Sequence, residues 1–262
     1  MAAGLDRPAA AAASAAAAGR AADTETLLGL PLPAGRVVSR ILDNASGLAL
    51  DEVTDLDGAG SPIAISRFEP TGRLVSLVRL GYVSQTSPAI AAPLALARAA
   101  SILGSLGVEA GGPATVTPRS AGGWLVRWVR LVGGVPVPGD GVSVQLAGDG
   151  SFHAIVRAEH RLASRPAVPL EAAHARLLAE ARLDAWFGPA LRADVAVTGL
   201  ALAWVAPNDT FGDALPTGSP DELRLAWIVR VTTSGSLAGR LAGLELAFDA
   251  GDGSALGGDL LE

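Results

Sequence analysis

Three segments of the chain repeat one pattern of apolar and turn-forming residues. They cover residues 66–79, residues 144–157 and, more loosely, residues 246–256. In each copy, apolar residues alternate with polar ones along two flanks, and glycine stands in the short stretch between them. Alternation is typical of half-buried strands, and glycine supplies the positive φ that a tight turn needs. Each copy therefore predicts a β-hairpin.

Two apolar stripes with helical spacing follow the first two hairpins. One begins at Pro93 and the other at Pro169, and proline is favoured at the first position of a helix. The first stripe contains Leu96, Ala99, Leu103 and Leu106, and the second contains Ala173, Leu177 and Ala181. A single stripe on each helix predicts that each helix lies on one face of a sheet.

Three further segments predict strands, at residues 123–131, 200–205 and 223–232. Residues 206–221 are rich in Pro, Gly, Asn and Asp, which predicts a long exposed loop. Hairpins and helices in this order predict an α+β fold, in which antiparallel sheets carry helices on one side.

The domain organisation follows from breaks in these patterns. Residues 158–168 contain Arg165-Pro166 and interrupt the repeat, so we expect one domain at residues 31–160 and another at residues 161–262. Residues 1–30 include an almost pure alanine run and predict a low-complexity leader, left after removal of a signal peptide. The expected location is therefore outside the cell or in the cell envelope.

Composition narrows the function. The net charge is −6, and all 20 basic residues are arginines scattered along the chain, which argues against a nucleic-acid binder. The chain has no cysteine, which excludes disulfides, thiolate metal sites and a cysteine nucleophile. No run of about 18 apolar residues is present, so no membrane span is expected.

The sequence contains no catalytic motif that we recognise. None of the three histidines, His153, His160 and His174, belongs to the His-Glu-x-x-His motif of zinc peptidases. Glu171 and His174 have a spacing that metal sites in bundles use, but such sites need matching ligands on other helices, and a structural or surface role is favoured. The acidic turns at residues 55–58 and 249–253 lack calcium-loop spacing and predict ordinary hairpin turns. We predict no enzyme activity, catalytic residue, cofactor or metal.

Residues 124–144 read Trp-Leu-Val-Arg-Trp-Val-Arg-Leu-Val-Gly-Gly-Val-Pro-Val-Pro-Gly-Asp-Gly-Val-Ser-Val. This stretch resembles the core of the propeptide domain of fungalysin and thermolysin-like metallopeptidases, which has a strand, a Gly-Val-Pro-Val-type turn and two strands around an Asp-Gly turn. The matching turn residues are Gly134, Pro136, Gly139, Asp149 and Gly150. The helix from Pro169, the strand near Trp227 and the Phe248 hairpin resemble a PepSY domain, the second module of those propeptides. The resemblance implies cystatin-like folds, each a helix cradled by a curved antiparallel sheet.

The resemblance also implies a function. Propeptides of this type bind, inhibit or assist the folding of a thermolysin-like zinc metallopeptidase, and we expect this chain to act on such a partner without being an enzyme. Residues 30–90 add a hairpin unit that the usual propeptide lacks. Two alternatives stay open: a structural scaffold of the cell envelope that self-associates through its sheet edges, and a pro-region fragment of a longer peptidase precursor.

The tryptophans have two interpretations. The first places Trp124, Trp128, Trp204 and Trp227 in the cores between sheets and helices. The second places an exposed patch on one strand, where Trp124, Arg127, Trp128 and Arg130 contact a protein partner.

Overall fold

The computed structural model describes residues 7–43, 47–81, 90–120, 122–212 and 222–261. The chain divides into two compact units. The first comprises Met1–Arg130 and Gly139–Glu159, and the second comprises Leu131–Pro138 and His160–Glu262.

The first unit is organised by an eight-stranded sheet in the order β1-β2-β3-β4-β8-β7-β6-β5, with neighbouring strands antiparallel. Its strands are β1 (Gly35–Leu42), β2 (Ala49–Leu56), β3 (Pro62–Phe68), β4 (Leu74–Arg79), β5 (Ala114–Pro118), β6 (Trp124–Val132), β7 (Val135–Leu146) and β8 (Phe152–Ala158). The extra hairpin of residues 66–79 therefore extends the same sheet as the hairpin of residues 144–157, because β4 pairs with β8.

Two helices cover one face of this sheet. Helix α2 (Ala92–Ser105) follows the first hairpins as expected and buries Ala95, Ala99 and Leu103 on the sheet. Helix α1 (Arg7–Leu27) lies in the segment expected to be a leader, and it packs Ala17 and Ala21 against Val53 and Phe68. Among the described residues, no helix combines the length and the apolar character that crossing a membrane requires.

The second unit has a five-stranded sheet whose main path is β10-β11-β12-β13, all antiparallel. Its strands are β9 (Arg161–Leu162), β10 (Val195–Val205), β11 (Glu222–Thr233), β12 (Gly243–Asp249) and β13 (Ala255–Leu261). The short strand β9 pairs in parallel with the start of β11. The core of this sheet contains Val197, Val229, Leu246 and Phe248.

Helix α3 (Ala172–Arg192) covers that core, but it differs from the sequence prediction. It begins at Ala172 rather than at Pro169, because Leu170 is held in the loop: its N–H donates to the Ala250 carbonyl at 2.7 Å, and its carbonyl accepts from Trp227 Nε1 at 2.8 Å. The buried stripe is Ala175, Ala179 and Leu183. The predicted stripe of Ala173, Leu177 and Ala181 is exposed and was therefore wrong.

The three predicted hairpins are confirmed as β3–β4, β7–β8 and β12–β13. Their turns contain Gly72, Gly150 and Gly253, each with a positive φ between 78° and 90°. In the second hairpin the Ser151 N–H donates to Asp149 Oδ1 at 2.8 Å, which closes the turn and lowers the pKa of Asp149. The α+β fold class with antiparallel sheets is confirmed.

The Gly-Val-Pro-Val segment is mostly strand. Gly133 and Gly134, with φ of 58° and 80°, form a two-residue turn between β6 and β7. Two successive positive φ values complete such a turn by themselves, so the chain is already extended at Pro136 and Gly139, which lie within β7. Their prediction as turn residues is corrected. Residues 206–212 form the start of the predicted loop, and residues 213–221 lie outside the described residues.

Candidate functional site

The second sheet has one face that α3 covers and one that it leaves open. Directly opposed residues in neighbouring strands point to the same face, so the pairs Ala201–Ile228 and Ile228–Ala247 place these three residues together. The paired residues Val229 and Leu246 point the other way, into the core under α3. Two of these three open-face residues are alanines, whereas the covered face carries the larger Val229 and Leu246.

The residue order in β10 explains this division. Large residues at Leu200, Leu202 and Trp204 alternate with small ones at Ala201 and Ala203. Because successive side chains of a strand point to opposite faces, the large residues share the covered face and the alanines share the open face. A register shift between Val197 and Gly199 keeps the earlier valines of β10 on the covered face as well.

A groove of about 510 Å³ runs along the open face. Its floor is formed by Ala201, Ala203, Ile228 and Ala247, and we call it the open-face groove. The volume and the apolar floor are within the range of sites that bind small molecules or short peptide segments. Short side chains in the floor allow an incoming backbone to approach the sheet closely.

Two carboxylates stand directly opposite each other on the rim of the groove. Glu245 of β12 is the cross-strand partner of Asp259 of β13, an arrangement of like charges that is unfavourable. Arg230 donates to Glu245 from Nε at 2.9 Å and compensates one carboxylate. Asp259 is exposed, and no basic side chain in the described part of the chain forms an ion pair with it. The rim is therefore suited to a positively charged group.

Asn208 closes the groove where it meets the outer edge of β13. Its main-chain N–H donates to the Leu256 carbonyl at 2.9 Å, and its side-chain Oδ1 accepts from the Gly258 N–H at 3.1 Å. Asn208 thus takes the hydrogen-bonding positions that an added strand would use here. This contact protects part of an exposed sheet edge from pairing with another strand.

The four residues predicted to contact a partner lie elsewhere, on β6 of the first unit. Trp128 is 6% exposed and lies in the core under α2, and Trp124 packs against that core and donates from Nε1 to the Ile90 carbonyl at 3.1 Å. Arg130 bonds Asp140, and Arg127 is half-buried. These positions match the interpretation of the tryptophans as core residues. Trp204 and Trp227 likewise pack in a core of the second unit.

The histidines do not form a metal site. His153 lies on β8 in the first unit, where burial and the charges of Arg119 and Arg79 lower its pKa. His160 belongs to the second unit and lines the open-face groove, and His174 is exposed in the first turn of α3. Within the described ranges, no three His, Cys, Asp or Glu side chains are placed to hold one metal ion.

A second charged region, in the first unit, is an ion-pair network. Glu159 lies 2.7 Å from Arg73, 3.4 Å from Arg130 and 3.7 Å from Arg157. Arg73 also bonds Glu69, and Arg130 also bonds Asp140. Three guanidinium groups thus face three carboxylates, so the region has no excess charge with which to hold an ionic ligand.

The antiparallel sheets that carry helices on one face are consistent with a cystatin-like, PepSY-type α+β fold. A solved structure with this fold is the C-terminal domain of YpeB from Bacillus megaterium, which aligns with 94% of this chain and 97% of that one, at a TM-score of 0.51. The two sequences are 13% identical, so the similarity is one of fold. No protein-family model matches the chain, and no curated protein matches its sequence.

Proposed function

We propose that the chain is a non-enzymatic binding module that holds an extended segment of a protein partner in the open-face groove. The observation that carries this proposal is the groove itself, an apolar floor on the sheet face opposite to the one that α3 covers. Grooves of this kind bind peptide segments through backbone approach and a few side-chain pockets.

The rim defines the chemistry of the partner segment. Small apolar side chains fit a floor of Ala201, Ala203 and Ala247, and one lysine or arginine pairs with Asp259. A basic residue at this position also relieves the repulsion between Asp259 and Glu245. The segment is therefore extended, mostly apolar and carries one positive charge.

The sequence resemblance adds a class of partner. Within this proposal, the segment belongs to a thermolysin-like zinc metallopeptidase, which the chain inhibits or helps to fold outside the cell or in its envelope. The first part of the proposal, peptide binding in the groove, does not depend on this second part.

Selection from a library of displayed 12-residue peptides tests the first part. We expect enriched peptides to share one lysine or arginine among small apolar residues. In the variant Ala201→Trp, the indole fills the groove from an exposed position of its floor, and binding of an enriched peptide falls by at least about tenfold. Fluorescence polarisation of the labelled peptide measures this loss.

Ala196→Trp is the matched control, because Ala196 is exposed on the same strand but outside the groove. It is expected to bind like the unchanged chain. Equal weakening by both variants, or no enrichment at all, contradicts the proposed site.

Titration into a purified thermolysin-like metallopeptidase tests the second part of the proposal, the class of partner. If the peptidase turns over its substrate at an unchanged rate with the chain in micromolar excess, this class of partner is excluded. Peptide binding in the groove is then tested separately by the display experiment.

A further inference from the structure

Helix α1 carries a buried carboxyl group at its C-terminal end. The Glu25 side chain is 1% exposed, and its Oε2 accepts from Arg36 Nη2 of β1 at 2.5 Å. The same guanidinium donates from Nε to Asp55 Oδ1 of β2 at 2.9 Å, and the Asp55 side chain is 2% exposed. Two buried carboxyl groups, one on the helix and one on the sheet, therefore share a single cation.

This arrangement favours a proton on Glu25. Burial, followed by the hydrogen bond and the charge of Asp55, raises the pKa of Glu25 from 4.5 to about 8, and Arg36 opposes this only in part. The second oxygen, Glu25 Oε1, is buried and has no hydrogen-bond partner among the described residues, so no donor stabilises a negative charge on it. With both groups ionised, the site would hold one uncompensated negative charge.

The other charged groups described on α1 and on the strands beneath it are paired or face solvent. Arg20 of the helix bonds Asp51 of β2 at 3.0 Å, and Asp23 is exposed. On the strands beneath, Glu52 and Arg67 bond each other at 2.9 Å. Glu25, Arg36 and Asp55 thus form a distinct buried cluster, which we call the α1 triad.

The rest of the contact between α1 and the sheet is small. Among the described side chains, the apolar part has Ala17 and Ala21 on Val53 and Phe68, with the partly buried Val38 and Leu74 beside them. The Arg20 guanidinium lies 5.5 Å from the centre of the Phe68 ring. An alanine methyl removes little apolar surface from water compared with a leucine or phenylalanine side chain. The docking of α1 therefore depends strongly on the α1 triad.

We propose that the α1 triad is a proton-operated latch, which holds α1 on the first sheet while Glu25 is protonated and releases it when Glu25 ionises. Release uncovers the apolar face at Val53 and Phe68. The device goes beyond the peptide-binding proposal and involves none of the groove residues.

The direction of the pH effect follows from the two states of Glu25. Its pKa is higher in the docked helix than in the released one, so docking is strongest below pH 4.5 as far as this group is concerned. Between pH 4.5 and about 8, the docking equilibrium constant falls by up to about tenfold per pH unit, and above about 8 it stays constant.

A distance measurement between α1 and the sheet tests the latch. The chain has no cysteine, so spin labels can be placed at Ala16→Cys and Ser39→Cys, two exposed positions on α1 and β1. Pulsed electron paramagnetic resonance is expected to give one short, narrow distance at pH 5 and a broad, longer distribution at pH 9. Near-ultraviolet circular dichroism over the same range shows whether the rest of the chain stays folded.

Two variants distinguish the latch from a general weakening of the contact between α1 and the sheet. Glu25→Gln keeps an oxygen that accepts from Arg36 but cannot ionise, so the short distance should persist at pH 9. Asp51→Asn removes the ion pair of Arg20 and should weaken docking at every pH without moving the midpoint. A short distance at pH 9 in the unchanged chain, or release of Glu25→Gln at the same pH as the unchanged chain, overturns the proposal.

Discussion

Replacing Leu183 with alanine is expected to lower the free energy of unfolding by about 2–5 kcal/mol. Leu183 is fully buried on α3, in the cluster that joins the helix to Val229 and Leu246 of the second sheet. Truncation loses the transfer free energy of the side chain and leaves a cavity that the surrounding strands can fill only in part. Urea unfolding followed by tryptophan fluorescence measures the change.

Leu177→Ala is the matched control on the same helix. Leu177 is 69% exposed, so its truncation should change the free energy of unfolding by no more than about 0.5 kcal/mol. If the helix buried the stripe expected from sequence, which includes Leu177, Leu177→Ala would lose more stability than Leu183→Ala. Equal effects, or a larger effect at Leu177, would show that α3 is rotated about its axis from the position described.

Replacing Arg130 with methionine is expected to lower the stability of the first unit by about 3 kcal/mol. Asp140 is fully buried, and Arg130 Nη1 bonds its Oδ2 at 3.0 Å. Methionine keeps much of the aliphatic stem but leaves the Asp140 charge buried without this cation. The expected value is at the lower end for breaking a buried ion pair, because Arg130 is 28% exposed and water screens part of the interaction.

The double variant Arg130→Met/Asp140→Asn tests whether the buried charge of Asp140 causes this loss of stability. Asparagine removes the buried charge and keeps a similar shape, so the double variant should recover more than half of the lost stability. A double-mutant cycle in urea gives the interaction energy of the pair. If the double variant is no more stable than Arg130→Met, the loss comes from packing or from the ion pair of Arg130 with Glu159, and not from the Asp140 carboxylate.

Most of the strand framework could be predicted from sequence. The hairpins around Gly72, Gly150 and Gly253 combine two local signals, alternation in the flanks and a glycine at a positive φ. Both signals are contained in about a dozen residues, so they do not depend on the rest of the fold. The first residue of α3 and the face that it buries could not be predicted in this way.

Helix α3 was misplaced because alanine carries little information about which face is buried. Alanines occur at many positions of the helix, so several stripes fit equally well. The choice is made by a contact 57 residues apart in sequence, the bond from Trp227 to the Leu170 carbonyl. Pattern alone therefore identified the helix but not its buried face.

The candidate site was only partly within reach of sequence analysis. The order Leu200-Ala201-Leu202-Ala203-Trp204 shows a strand with one small and one large face, and this signal could have indicated the open face. The rest of the groove depends on register, which brings Ala247 beside Ile228 and Asp259 opposite Glu245. The α1 triad needs residues 11 to 30 positions apart on three elements, and no local pattern marks it.

Photo-crosslinking tests the central claim, that a peptide segment occupies the open-face groove. Because the chain has no cysteine, a benzophenone can be attached to a single cysteine at Ala206→Cys, an exposed position that lines the groove outside its floor, or, as the control, at Ala196→Cys. A peptide enriched by selection is added, irradiated and analysed by mass spectrometry. We predict crosslinks from position 206 beside the groove floor and none above background from position 196. Equal crosslinking at the two positions, or crosslinking from position 196 alone, would contradict the account.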